Sequence, residues 1–411
     1  MTGFTEAQAR RATRSDRWVS FNSRPIEISL LYLLTRISRV LRVPKLGVVV
    51  SDAATMRQVL LDGEHFSKTA EGGTSDLWDP VLQGPGLLNM SGESHLELKR
   101  KLTPLFSAKY LESAIGAAVK VETERLKKRL LACESVDIVR SIEVTAARVV
   151  CTLCGYDLEN TDEAEVLAQL ESARSLLRFV KLNTKRLTPE QVKLGRGELS
   201  KLHQSIHDAF DANIEGTVPH TLKGFGLSRD EVTAVITALV IAGTETVLSH
   251  LPRFTALLLR SGYLEELSRQ GKASMPDGVM ETELIQDAVQ EGLRVTVPTP
   301  VMVRGVTQPT RVGNVDVKPG DRLLLATIFA CQRLGHFNPS RPMPKEYRHL
   351  WFGAGVHMCI GLPLAQLEIQ RYLEMFIEVN RVRPIRLISA KVRRGTLTAG
   401  YRELVISCRN S

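Results

Sequence analysis

The sequence predicts a mainly α protein with a smaller β region. Three observations carry this. Ser228-Arg-Asp-Glu231 is a capping box, in which a serine and a glutamate three residues on satisfy each other's backbone N–H groups. It opens an apolar helix from Arg229 to about His250, whose 22 residues span about 33 Å at roughly 1.5 Å per residue. Leu30, Leu34, Ile37 and Leu41 recur at helical spacing. The strand-like stretches are short by comparison: Gly47-Val-Val-Val50, Val312-Gly-Asn-Val-Asp-Val317 and Leu323 to Ile328, the last two around Pro319-Gly320-Asp321. With 43% apolar and 24% charged residues in a chain of 411, the composition is that of an ordinary globular protein.

Residues 1–25 read as a polar, arginine-rich N-terminal segment and 26–411 as one domain. The apolar run from Ile28 to Val50 is interrupted by Arg36, Arg39, Arg42 and Lys45, whereas a membrane span needs about 20 apolar residues. It reads as an amphipathic helix against a core, a membrane-surface helix being the alternative, and no transmembrane anchor is expected. Ser51-Asp52 caps a helix through Met56, Val59 and Leu60 to Gly63. Residues 67–90, with Gly72, Gly73, Gly84, Pro85 and Gly86, read as loop, and the next helix contains Gly92 to Leu102. Residues 111–215 read as helices with polar connections, and Arg178, Lys181, Lys185 and Arg186 cluster before Thr188-Pro189. Glu291 and Arg294 share one helix face, and Val295-Thr-Val-Pro-Thr-Pro300 ends that helix. A last helix runs from Pro363 to about Val379, and Gly395 to Gly400 forms a turn between strand-like segments.

A net charge of +9 and a pI near 9.3 suit an acidic partner, an anionic membrane surface or nucleic acid. Few aromatics and no nucleic-acid motif leave the acidic protein partner as the reading, with no nucleic acid expected. Cys133, Cys151, Cys154, Cys331, Cys359 and Cys408 are scattered, which reads as reduced thiols in a cytoplasm. Cys151 and Cys154 lie in an apolar helical run without a second pair, so they read as core rather than as a zinc site.

Two stretches ask for chemistry. Trp351-Phe-Gly-Ala-Gly-Val-His-Met-Cys-Ile-Gly361 places three glycines around one cysteine. Such a loop turns tightly, lets a partner approach closely, and offers backbone N–H groups to a thiolate. That suits a single protein ligand to a metal centre whose opposite face stays open, as in thiolate-ligated haem. The second is Ala242-Gly-Thr-Glu-Thr246, a glycine and polar residues at the centre of an apolar helix. These are costly there without a purpose. Gly243 leaves room above a flat cofactor, and Glu245 and Thr246 place a carboxylate and a hydroxyl near the gap. A hydroxyl that merely bonds back to its own helix is the plain structural alternative.

Phe352, Gly355, His357, Cys359 and Gly361 fill the haem-binding signature of the cytochromes P-450, and the chain resembles that family from about residue 25 to its end. The resemblance implies a cytochrome P-450 fold, a single triangular haem domain, with haem b held by Cys359 as the iron ligand. Gly243 to Thr246 resembles the oxygen-activating motif, with Glu245 the acid and Thr246 the alcohol that deliver protons. Phe352 then packs near the thiolate and the ring, while His95, Lys99, Arg304 and His357 neutralise the haem propionates. Lys99 stands where the family usually has arginine, and an ammonium cannot grip a carboxylate bidentately. Glu291-x-x-Arg294 resembles the ion pair that helps hold the cysteine loop, residues 178–186 the lid, and Gly395–Gly400 the turn that dips into the substrate pocket. Leu334 replaces the acidic residue usual after the first arginine, Arg333, of the stretch from Cys331 to Leu350.

The implied activity is monooxygenation of a small organic substrate with O2. The electrons would come from a separate ferredoxin or flavodoxin and a reductase, docked on Lys99, Arg100, Lys101, Arg341, Lys345 and Arg348. A peroxide-driven peroxygenase and a non-catalytic haem-binding or sensor protein are the alternatives; the acid–alcohol pair argues against both.

Overall fold

The chain is helical from its first capped residue. Thr5 and Gln8 form a reciprocal capping box that opens helix α1, Glu6–Ser23. The computed structural model describes residues 4–409 apart from 83, 85, 156–161 and 271–278, so Pro85 of the expected loop lies outside them. Helix α2, Pro25–Ile37, strands β1, Val40–Val43, and β2, Gly47–Val50, and helix α3, Ala53–Leu61, follow. Asp52 caps α3 by accepting from Thr55 N. Strand β3, Phe66–Ser67, and helices α4, Ser75–Leu82, α5, Gly92–Leu102, α6, Ala108–Ala114, and α7, Gly116–Leu131, lead to strand β4, Val136–Asp137.

The centre of the molecule is helical: α8, Ile138–Cys154, α9, Glu163–Ser175, α10, Pro189–Ala212, α11, Val218–Gly224, α12, Arg229–Ser261, α13, Tyr263–Gln270, and α14, Val279–Thr296. Strands β5, Met302–Val306, β6, Thr310–Val312, β7, Val315–Val317, and β8, Arg322–Leu325, follow. Helices α15, Thr327–Gln332, and α16, Leu362–Val382, then strands β9, Ile385–Val392, and β10, Tyr401–Cys408, complete the chain.

Helix α12 is the axis of the fold. Its capping box forms as read, and it continues 33 residues through Pro252 to a left-handed Gly262 cap. Among the described residues it is the one helix long and apolar enough to cross a bilayer, but it is buried at the centre of the protein. Helix α1, within the segment read as residues 1–25, packs on α12. Asp16 and Arg253 meet there in a fully buried two-bond ion pair, at 2.7 Å for each bond, with Ser20 Oγ accepting from the same guanidinium. A buried charge requires such a partner, which accounts for an acidic residue in an otherwise arginine-rich segment.

The β region is a five-stranded sheet of order β1-β2-β8-β5-β3, parallel only between β2 and β8, and an antiparallel sheet of order β4-β10-β9. The stretch read as one strand over residues 312–317 is split. Gly313, at φ +58°, and Asn314 make the two-residue turn of the β6–β7 hairpin. The expected strand to Ile328 ends at Leu325, and α15 takes up Ile328.

The helical face expected to bury Leu30, Leu34, Ile37 and Leu41 is corrected in two ways. Leu41 belongs to β1, and α2 buries Ile28, Leu31 and Thr35 while Leu30 and Ile37 are exposed.

Candidate active site

The cysteine loop is built on turns that only particular backbones allow. Residues 350–352 and 355–357 each form a short 3-10 turn. Gly353 and Gly355 have φ of +80° and +66°, and a Cβ on Gly355 would stand 3.0 Å from Leu60 O of α3. Cys359 N donates to Phe352 O at 2.9 Å, closing the loop. Cys359 lines a cavity and is exposed there. Burial pushes its pKa up; the backbone N–H groups of Gly361 and Leu362 and the cations Lys68 and Lys99 pull against this.

Together with the open solvent at its mouth, the cavity comprises about 1690 Å³ of space not filled by protein. Cys359, Phe352 and Ile360 line one side, while Gly243, Thr246, Val247 and His250 of α12 line it as well. These four recur at i, i+3, i+4 and i+7, one face of a helix. A Cβ on Gly243 would meet nothing within 4 Å, so the glycine faces open space. Thr246 Oγ1 donates to Ala242 O at 2.8 Å, so in this arrangement the hydroxyl bonds back to its own helix.

Glu245 is placed elsewhere. It does not line the cavity. Two residues along a helix is a rotation of roughly 200°, and this carries its carboxylate to the side opposite Gly243. There Arg174 of α9 donates to it at 3.0 Å, and Arg393, just after β9, binds both of its oxygens. Arg174 also binds Glu143 of α8 at 3.0 Å. Glu245 therefore sits in a buried cluster that joins three segments to α12, and the periodicity that fixes this is present in the sequence.

Two titratable groups that sequence reasoning missed do face the cavity. Glu368 of α16 is buried among its lining, and burial without a compensating partner pushes its pKa up to about 8. His250 is fully buried. Its Nδ1 lies 2.7 Å from Thr296 Oγ1, its Nε2 has no partner among the described residues, and burial lowers its pKa to about 3. A glutamate one turn after Ala365 in an apolar helix was the available signal for Glu368.

The expected propionate ligands converge. His95 Nε2 lies 3.2 Å from His357 Nδ1, and His95 Nδ1 is buried without a partner. Burial and then Lys68 lower the two imidazoles to about 4 and about 2 respectively. Arg304, almost fully buried, is lowered to about 10 by burial. Lys68, missed in the sequence as a lone lysine in a loop, is lowered to about 7 by burial and then by Arg304. Lys99 also differs from the expectation: its ammonium donates to Val356 O at 2.8 Å and Met358 O at 2.7 Å, bracing the cysteine loop from α5. No carboxylate forms an ion pair with these five groups among the described residues. Basic side chains whose charged forms are disfavoured by burial and by one another, next to an orphaned imidazole nitrogen, fit a dianionic group inserted between them.

Other expectations shift. The Glu291–Arg294 pair is fully buried with two bonds of 2.6 Å. Arg294 also donates to Cys331 O and Gly335 O, and Asn338 N donates to Glu291, so the pair pins the segment after α15 rather than the cysteine loop directly. The turn over residues 395–400 does not line the cavity; Ala399 O accepts from Ser249 Oγ of α12 at 2.5 Å. Arg178, Lys181, Lys185 and Arg186 likewise lie outside the cavity, whose lining is mostly apolar. Cys151 is a buried core thiol, its pKa pushed up to about 12 by burial, and among the described residues no cluster of histidine, cysteine or acidic side chains suits a metal ion.

A mainly α protein with one cysteine loop open to a mostly apolar cavity, lined also by a central helix with a glycine gap and by a cluster of basic side chains, has the form of a haem-thiolate protein. The cytochrome P450 family model matches residues 35–391, and the chain belongs to the cytochrome P450 family. It is 26% identical over 330 residues to the mycinamicin IV hydroxylase/epoxidase of Micromonospora griseorubida, 79% of each chain. It is 27% identical over 292 residues to the 6-deoxyerythronolide B hydroxylase of Saccharopolyspora erythraea, 67% of this chain and 65% of that one. The crystal structure of P450BioI with an acyl carrier protein has the same fold at a TM-score of 0.76 and 19% identity, covering 93% of this chain and 97% of that one. The protein is thus a cytochrome P450 monooxygenase whose cofactor is a haem iron.

Proposed function

We propose that the protein oxidises an apolar organic substrate with O2 at a haem b held by Cys359, with electrons from a separate ferredoxin or flavodoxin. The observation that carries this is a single thiol, Cys359, that lines the same mostly apolar cavity as Gly243 and Thr246. When bound, the thiolate-ligated haem takes O2, two electrons and two protons, delivers one oxygen atom to substrate and releases the other as water.

The chain's own residues would do the rest. Lys68, His95, His357 and Arg304 would hold the propionates, with Lys99 keeping the loop and its thiolate in place. Thr246 would turn its hydroxyl from Ala242 O toward the open face and pass a proton there. Glu368 lines the cavity from α16, the helix that directly follows the cysteine loop, and burial holds its proton up to about 8. Glu245, expected as that acid, would first have to leave Arg174 and Arg393. In this arrangement it is a positioning residue that ties α9 and the segment after β9 to α12.

Leu87, Leu88, Val150, Leu153, Val235 and Leu239 line the substrate side, which favours an uncharged, largely apolar molecule. An acidic substrate finds no support, because the basic cluster of residues 178–186 lies outside the cavity. Of the six residues expected to dock a redox partner, Lys99 and Arg341 are engaged with backbone carbonyls, and Arg100 and Lys101 pair with Glu93 and Glu97, leaving Lys345 and Arg348.

The test is the spectrum of the reduced, carbon-monoxide-bound protein. The strongly red-shifted Soret band of thiolate ligation is expected, and its loss in Cys359→His. A normal haem-protein band in the parent chain would overturn the assignment. Turnover with peroxide alone at the rate of the electron-fed system would replace the monooxygenase reading by the peroxygenase one.

A further inference from the structure

Helix α2 has two faces, and only one is accounted for by the fold. Ile28, Leu31 and Thr35 are buried against the core. On the opposite side Ile26 is 84% exposed, Leu30 50%, Leu33 60% and Ile37 72%. Their spacing of four, three and four residues keeps them on one stripe about three turns long. Four large aliphatic side chains in a row in water are a liability unless something covers them.

What surrounds the stripe identifies the covering surface. Residues 1–45 contain nine arginine and lysine residues and three acidic ones. All three acids have partners: Glu6 with Arg10, Asp16 with Arg253 and Glu27 with Arg24. Arg11 and Arg14 on the outer face of α1, and Arg36 beside the stripe, are exposed without a carboxylate partner among the described residues. Trp18, 58% exposed, shares the outer face of α1 with Arg11 and Arg14. At the α1–α2 junction Arg24 donates to Arg178 O at 3.1 Å. This anchors the connection between α9 and α10, which exposes Lys181, Lys185 and Arg186. A second copy of the chain on this stripe would bring the same positive charge against it. An anionic surface would be drawn to it.

We propose that α2 and the basic groups around it dock the protein peripherally on an anionic lipid bilayer. The stripe would enter the boundary between headgroups and acyl chains, and Arg11, Arg14, Arg36, Lys181 and Lys185 would meet the lipid phosphates. An apolar helix face with basic groups near it is an arrangement that lies in a membrane interface without crossing it. The proposal is independent of the assignments in the haem cavity.

The test is co-sedimentation of the haem-loaded full chain with vesicles of phosphatidylcholine alone or mixed with phosphatidylglycerol. Partitioning onto the anionic vesicles is expected to exceed that onto neutral ones by about tenfold or more and to weaken with salt. Tryptophan emission should shift to the blue. The double variant Leu30→Ser/Leu33→Ser should lose about tenfold in partitioning, with its haem spectrum and melting temperature unchanged. Arg36→Ser/Lys181→Ser/Lys185→Ser should lose the preference for anionic lipid. Equal partitioning of the leucine variant and the parent would mean a charge-only contact and would overturn the proposal. So would failure to bind anionic vesicles, or a dimer in sedimentation velocity that the leucine variant dissolves.

Discussion

Glu245 and Thr246 are neighbours in sequence and face different surroundings. Thr246 lines the cavity, whereas Glu245 is clasped by Arg174 and Arg393. Replacing them should therefore give different defects. Thr246→Ala is expected to leave substrate affinity intact and to lower the product formed per electron consumed by about tenfold or more. Glu245→Gln removes the charge that holds two guanidiniums, so its first effect should be on substrate affinity, read by spectral titration. If Glu245→Gln instead left affinity unchanged and reduced only the product-to-electron ratio, the carboxylate would be acting as the proton source despite its partners. Glu368 carries its own pH signature. Its folded pKa, about 8, lies above that of an unfolded glutamate. The folded state therefore holds its proton more tightly, and this stabilisation is fully present below about 4.5, falls as pH rises from there and is gone once pH passes about 8. Glu368→Gln should flatten that loss in denaturant titrations between about pH 5 and 8. His250 works in the opposite sense. Its folded pKa, about 3, means that stability falls as pH drops from about 6.5 toward 3.

At the scale of elements, two buried ion pairs hold helices to what lies beside them. Asp16 on α1 is the partner of Arg253 on α12, and both are buried. Asp16→Ala would leave that guanidinium uncompensated, at a cost of about 3–5 kcal/mol. A lowered midpoint in urea, with the haem spectrum retained in the folded fraction, is the expected result; an unchanged midpoint would show α1 to be dispensable. The sequence showed an arginine-rich polar stretch there, and nothing local in it identifies Arg253, 237 residues away, as the partner. The Glu291–Arg294 pair was legible as a spacing on one helix face, but its load was not. The same guanidinium reaches the carbonyls of Cys331, Gly335 and His336, which only the path of the chain after α15 brings within reach. Leu334, which stands where the resemblance leads one to expect an acid, has its carbonyl bound by Arg341 instead.

Across the whole molecule, charge is concentrated where the fold leaves it unbalanced. Lys68, His95, His357 and Arg304 lie together beside the cysteine loop, their charged forms disfavoured by burial and by one another. A bound dianion would reverse that penalty. Lys68→Met is therefore expected to speed haem loss to an acceptor protein by about tenfold, the scale of one charged hydrogen bond, without changing the thiolate spectrum. Haem loss at the parental rate would place Lys68 outside the propionate cage.

What the sequence by itself determined is local: the capping box that starts α12, the left-handed glycines of the cysteine loop, the glycine gap at Gly243, and with them the mainly α class and the family. Each follows from a backbone preference or a spacing within a few residues, and these act before any long-range contact forms. Tertiary structure decided which carboxyl faces the cavity, which face of α2 is buried, and which cation joins the histidines. Those outcomes depend on packing between segments far apart in the chain, where a rotation of 100° or a single distant partner decides whether the same side chain becomes an ion-pair clasp, a cavity wall or an exposed stripe.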